Sequence, residues 1–239
     1  MRTDPLGRRV LAEFLGTGLL VAAIVGSGIA AARLSPGDLG LELLENTAAT
    51  VGALIALILA LGPVSGAHFN PVVTLVDRFF GGLTTFDAAG YVVAQTTGAL
   101  AGALLANAMF ALPTFEASTK TRSSGPLWLA EVVATFGLVV VIFGVVRSGR
   151  ASLAPFAVGA YIGGAYFFTS STSFANPAVT IGRTISNSFA GIRPSSAPVF
   201  IAMQLIGGAL ALAVIRVLYP DVGVSAVDVV LPHATEAPV

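Results

Sequence analysis

Ser65-Gly66-Ala67-His68-Phe69-Asn70-Pro71-Val72-Val73-Thr74 and, in the other half of the chain, Asn176-Pro177-Ala178-Val179-Thr180 are the stretches on which the fold turns. Proline is favoured at the first position of a helix, where its missing N–H costs nothing, and asparagine caps well just before it. Each Asn-Pro therefore starts a helix. A break stands before each: Leu61-Gly62-Pro63 and Ser65-Gly66 in the first copy, Phe168-Thr169-Ser170-Ser171-Thr172-Ser173 in the second. Both breaks fall late in long stretches without charge, 46–76 (with His68 neutral) and 151–182. Such stretches exceed the roughly 20 apolar residues that cross a hydrocarbon core of about 30 Å. The expected path is a full span, a loop dipping into the membrane, and a short helix leading back out. One tilted helix would absorb the surplus length, but it does not account for Gly, Pro and Ser/Thr at the same relative place twice.

Four more weakly charged stretches fit one crossing each: 10–32 with only Glu13, 88–115, 123–146 with only Glu131, and 194–215. The expected fold is an all-α membrane protein with six transmembrane helices and two re-entrant half-helices. Composition agrees. Of 239 residues, 55% are hydrophobic and 10% charged, with mean hydropathy +0.89; soluble domains carry about 25% charge. Twelve basic and twelve acidic residues balance, leaving no basic footprint for a nucleic acid. There is no cysteine, and His68 and His233 are the two histidines. No metal site, cofactor or catalytic set is expected, and a soluble enzyme is excluded by the spans.

The halves repeat. Ala12-Glu13 with Gly16-Thr17 recurs as Ala130-Glu131 with Ala134-Thr135, and Ala94-Gln95 is echoed by Met203-Gln204. Three spans per half make the second copy enter from the opposite face, an inverted repeat whose shared site lies near the midplane. The expected organisation is a single domain over 1–239, with repeats at 10–110 and 126–219 and a mobile tail at 220–239. Six spans put both termini on one side. Arg2, Arg8, Arg9, Arg78, Arg147, Arg150 and Arg216 fall there, against Arg33, Lys120, Arg122, Arg183 and Arg193 opposite. That bias favours cytoplasmic termini. The N-terminal segment lacks the form of a removed signal peptide.

A half-helix of roughly ten residues rises about 15 Å, so inverted copies meet end to end and face each other with positive ends. The backbone before each Asn-Pro is tolerated only if buried or lining a wet cavity. Asn70, Pro71, Val72, Asn176, Pro177 and Ala178 are expected at that midplane. With their oxygens spent on the caps, the asparagine amides would be free to donate to a passing oxygen.

These paired motifs resemble the signatures of the aquaporin and aquaglyceroporin family, and Glu13, Gln95, Glu131 and Gln204 fall where that family's pattern expects them. The resemblance covers about 10–219. It implies a passive channel for water or small uncharged solutes, usually a homotetramer in the lipid bilayer with one pore per subunit, here in a bacterial inner membrane. Two departures stand out. Val72 replaces an alanine, for which repacking rather than a closed pore is expected. Val179 replaces the arginine that nearly always follows the second Asn-Pro-Ala in the selectivity filter. Family spacing puts the other filter positions at Thr50, Gly164 and Ser173, so no large or charged side chain is expected there. The valine resembles a subgroup encoded beside arsenic-resistance genes. That implies neutral metalloid hydroxides (arsenite, antimonite, methylarsenicals) and small polyols as solutes. An ordinary water or glycerol facilitator is the alternative. A proton-coupled transporter using Glu13 or Glu131 is the alternative of another class.

Other residues carry two readings each. Glu13 and Glu131 are scaffolds for the re-entrant loops or proton carriers, their symmetric placement favouring scaffolding. His68 contacts the pore or is bonded within its loop. Arg183, one turn beyond Val179, lines the vestibule or snorkels to headgroups. Asp77 and Arg78 close the first half-helix at the interface, and Tyr91 is placed in an interfacial aromatic belt. Gly98-xxx-Gly102 and Gly159-xxx-Gly163 are small faces for close helix packing.

Overall fold

The computed structural model describes residues 4–220. Arg2, His233 and the expected tail beyond Pro220 lie outside the described residues. The helices are α1 (Leu6–Leu34), α2 (Leu39–Ser65), α3 (Pro71–Phe80), α4 (Thr85–Met109), α5 (Gly125–Arg147), α6 (Ala154–Phe168), α7 (Pro177–Gly182) and α8 (Ala197–Leu218). Among the described residues six segments are long and apolar enough to cross a membrane; α3 and α7 are the half-helices between them. Exposed apolar side chains recur at helical spacing on the outside, as at Leu11, Leu15 and Leu19 of α1, the pattern of a surface that faces hydrocarbon rather than water.

The inverted repeat appears in the packing. Helix α1 packs on α2 and α4, α5 packs on α6 and α8, and α2 meets α6 across the halves. Both half-helices lie against α4 and α8. Close packing uses the small faces. A Cβ at Gly98 or Gly102 of α4 would overlap the Phe14 and Gly18 carbonyls of α1. On the other side, a Cβ at Gly207 of α8 would sit 2.5 Å from Val132 O of α5.

The structure corrects two expectations about elements. Helix α2 runs through Leu61-Gly62-Pro63 and ends at Ser65. A proline costs a helix its own N–H and a clash one turn back, which the last turn accommodates here. The stop is Gly66, whose φ of 82° is left-handed and whose N–H closes on Gly62 O at 2.8 Å. The second half-helix is also shorter than expected: six residues of α-helix, then a 3-10 turn over Arg183–Ile185. The chain leaves the α ladder there, and Arg183 O accepts Ile192 N at 3.2 Å from the following loop.

Candidate functional site

The two Asn-Pro starts meet head to head. Asn70 Oδ1 accepts Val72 N at 2.9 Å, and Asn176 Oδ1 accepts Ala178 N at 3.0 Å and Val179 N at 3.2 Å. Each amide then reaches across: Asn70 Nδ2 donates to Ala175 O, and Asn176 Nδ2 to Phe69 O, both at 2.7 Å. The amides are thus not wholly free; one of the two N–H groups on each holds the opposite loop. The loops before them are strained. Ala67 and Phe69, then Thr172, Ser173 and Ala175, have φ between 48° and 63°, a region that costs non-glycine residues energy and persists only where the surroundings enforce it.

Two buried carboxylates do the enforcing. Glu13 Oε1 accepts Ser65 Oγ at 2.6 Å and His68 N at 3.0 Å, while its Oε2 accepts Phe69 N at 2.7 Å and Gln95 Nε2 at 2.8 Å. Glu131 accepts Phe174 N and Ala175 N, both at 2.9 Å, and Gln204 Nε2 at 2.6 Å. Each glutamine also donates to a threonine of its half-helix, Gln95 to Thr74 and Gln204 to Thr180, at 2.9 Å. Neither carboxylate has any exposed surface, and neither is among the residues lining the cavity described next.

That cavity, of about 60 Å³, runs past both motifs, room for a few water molecules. Asn70, Asn176 and His68 line it, as do Thr50, Ser173, Val179 and Arg183. Pro71, Val72, Pro177 and Ala178 do not; they share the first helical turns with Val73 and Val179, which do line it, but lie on other sides of the helix axis. Val72 turns instead toward α8, where a Cβ on Gly208 would overlap its Cγ1. The extra bulk relative to alanine is therefore housed in a glycine notch.

Gly164 is a misplacement. It is exposed on the outside of α6 and does not line the cavity; Tyr166 does. The inward stripe of α6 is Val158, Ile162 and Tyr166, four residues apart, and Gly164 lies about 200° round the helix from Tyr166 at 3.6 residues per turn. The Tyr166 hydroxyl lies 3.1 Å from Thr50 Oγ1, which donates to Asn46 O at 2.8 Å. A large aromatic thus narrows the place where only small side chains were expected.

Two more residues differ from expectation. Tyr91 is fully buried, donating to Ser65 O at 2.8 Å, with its ring edge-on to His68. Asp77 is buried rather than interfacial: its Oδ2 lies 3.8 Å from His68 Nε2, while His68 Nδ1 is 3.1 Å from Thr74 Oγ1. The three-and-four spacing of Asn70, Thr74 and Asp77 on α3 was the available signal, since it puts them on one inward face.

Beside α7 the loop 111–124 adds a group that no spacing revealed. Arg122 is buried, with Nε donating to Gly191 O at 3.0 Å and Nη1 to Ser171 O at 3.3 Å. It therefore pins the second re-entrant loop. Burial lowers its guanidinium to about 10, with Glu131 and Tyr166 pulling it back up. Lys120 nearby is lowered to about 8, first by partial burial and then by the charges of Arg122 and Arg183, with Glu42 opposing.

Residues 1–174 match the major intrinsic protein family. The chain is 51% identical over 216 residues to the aquaglyceroporin AqpS of Rhizobium meliloti (strain 1021), covering 90% of this chain and 92% of that protein. It is 31% identical over 220 residues to a probable TIP-type aquaporin of Medicago truncatula, covering 87% and 86%. Among solved structures, the aquaglyceroporin of Plasmodium falciparum superposes with a TM-score of 0.64 at 19% identity, over 92% of this chain and 100% of that one, a likeness of fold.

Proposed function

The chain belongs to the major intrinsic protein family, whose members are membrane channels and not enzymes, and from that premise we propose that it passes small neutral solutes, trivalent metalloid hydroxides and small polyols among them, and excludes ions. It is an integral, multi-pass membrane protein. The solute reading rests on one observation. The cavity is lined by an apolar side chain, Val179, and by a hydroxyl pair, Thr50 and Tyr166. Arsenite and antimonite at neutral pH are uncharged hydroxides close to a polyol in size. They give and take hydrogen bonds on the hydroxyl side and need no charged partner on the other.

Within this reading Asn70 and Asn176 present their remaining N–H to the solute at the midplane. Thr50, Tyr166, Ser173 and Val179 form the filter, and Glu13, Glu131, Gln95 and Gln204 hold the loops. An ion would shed its hydration in the narrow path without replacement. The hydrogen bonding of the carboxylates, four donors to Glu13 and three to Glu131, supports scaffolding over proton carriage. The chain functions as a single domain in a homotetramer, one pore per subunit, in a bacterial plasma membrane with cytoplasmic termini.

The small cavity and the tyrosine that lines it favour a second reading, an ordinary water or glycerol facilitator; the R. meliloti relative carries the name aquaglyceroporin. Stopped-flow light scattering on proteoliposomes with water, glycerol, urea and neutral arsenite separates the two. Arsenite flux at least equal to glycerol flux supports the metalloid reading. Water and glycerol flux without arsenite flux replaces it with the facilitator. Saturable, proton-driven uptake overturns the channel.

A further inference from the structure

Arg183 is the largest fully buried side chain among the described residues, 2% exposed, and it lines the cavity. Two contacts fix it. Its Cζ lies 3.4 Å from the centre of the Phe174 ring, a flat stack on the cationic group, and its Nε donates to Ala190 O. Among the described residues no hydrogen bond is made by its two Nη atoms. A guanidinium has five N–H donors in a rigid fork, and here the end of that fork is left for whatever fills the cavity. Burying a cation with donors unmet is costly unless they find oxygen partners; in this place those partners are water or solute oxygens. The ring it stacks on also lies 5.0 Å from the Arg122 Cζ, so two cations flank Phe174 at the same end of the path.

Helical spacing makes the arrangement possible. Arg183 is four residues beyond Val179 and so shares its face, but one turn farther from the Asn176 cap. The valine leaves the wall apolar where the solute's carbon or metalloid body passes. The arginine then supplies donors and charge from the next turn. We propose that Arg183 is the specificity-determining cation of this channel, its Nη groups donating to solute oxygens near the Thr50–Tyr166 pair and its charge turning cations back. This rests on the channel reading above.

The test compares parent, Arg183→Met, Arg183→Gln and Arg183→Lys in proteoliposomes, normalised to inserted protein. Glycerol-driven swelling reports an open, folded pore; uptake of radiolabelled methylammonium, a cation at pH 7, reports charge selection. R183M and R183Q are expected to slow glycerol-driven swelling severalfold while keeping it above that of empty vesicles, since the donors to solute oxygens are gone, and to raise methylammonium uptake about tenfold, a change within the range that focused fields produce. R183K, which keeps the charge, is expected to stay near the parent. If R183M does not insert, R183Q decides by the same criterion. Glycerol flux with unchanged cation exclusion in the neutral variants overturns the assignment and leaves the channel reading intact. A parent without flux of any neutral solute overturns the channel reading, and the assignment with it. Equal cation leak in R183K and R183M means that shape rather than charge selects there, and also overturns it.

Discussion

Tyr166 and Gly164 sit two residues apart on α6, and the path meets only one of them. Counting back from Asn176 reaches Gly164 because it assumes a fixed loop length, and a loop can lose residues without disturbing either of its ends. The stripe Val158, Ile162, Tyr166 carries no such assumption, since the helix itself sets the spacing. So Thr50, Ser173 and Val179 were legible as residues that line the cavity, and Tyr166 was legible there by periodicity though not by counting. Tyr166→Ala is therefore expected to raise the flux of a four-carbon polyol relative to glycerol severalfold, at a cost in stability of about 3–5 kcal/mol for deleting a buried aromatic. Gly164→Leu, on the outer face, should leave every flux unchanged. Swelling assays on both variants decide it; altered solute ranking in G164L alone would return the filter to Gly164. Val179→Arg is expected to cut passage of glycerol and arsenite far more than passage of water. It adds a long side chain to a cavity that already holds Arg183, and about 1.4 kcal/mol of added barrier reads as a tenfold drop. Equal loss for water would mean a blocked pore instead.

At the scale of elements, the half-helices follow from their capping residues, and their lengths do not. Asn-Pro fixes where a helix begins because the cap and the missing N–H act within one turn. Where it stops depends on tertiary partners, such as the Ile192 N–H that takes the Arg183 carbonyl. The same limit hid the accommodation of Val72, since the notch that houses it is Gly208 on a helix in the other half of the chain. The two are coupled in a way a double-mutant cycle measures. Gly208→Ala alone should destabilise by about 1–3 kcal/mol through overpacking. Val72→Ala removes the side chain that would be struck, so the pair should recover part of that loss, with an interaction energy of about 0.5–3 kcal/mol. Thermal unfolding in detergent of the parent, both single variants and the pair is the measurement. Simple additivity would show that Val72 can move aside on its own.

Over the whole molecule, charge is sparse and placed with consequence. Lys120 loses its proton near 8 in the folded protein, against 10.5 in the unconstrained side chain. Between those values the unfolded chain holds the extra proton, so stability rises with pH across the window and has no slope from this group below it. Lys120→Met should flatten the rise in melting temperature between pH 8 and 10; an unchanged slope would mean that other groups carry it. The buried carboxylates act at longer range. Glu13 holds the loop that ends at Asn70, Glu131 holds the loop that ends at Asn176, and the crossed bonds Asn70 to Ala175 and Asn176 to Phe69 tie the two loops together. Sequence symmetry revealed both glutamates; the crossed bonds needed the fold, because each asparagine finds its partner in the other repeat. Glutamine at position 13 or 131 turns an NH₂ toward backbone N–H donors, and each donor left unmet costs about 1–3 kcal/mol. Separate scaffolds would give additive losses, as distant sites usually do. Loops joined by the crossed bonds should not. Once Glu13→Gln frees the first loop, the bond from Asn176 to Phe69 O slackens, and the second loop is already partly released when Glu131→Gln is added. The double variant is therefore expected to lose less stability than the sum of the singles, by about 0.5–3 kcal/mol, with melting in detergent as the readout. A strictly additive double variant would show that each repeat holds its own loop, and that the asparagines meet at the midplane without carrying load between the halves.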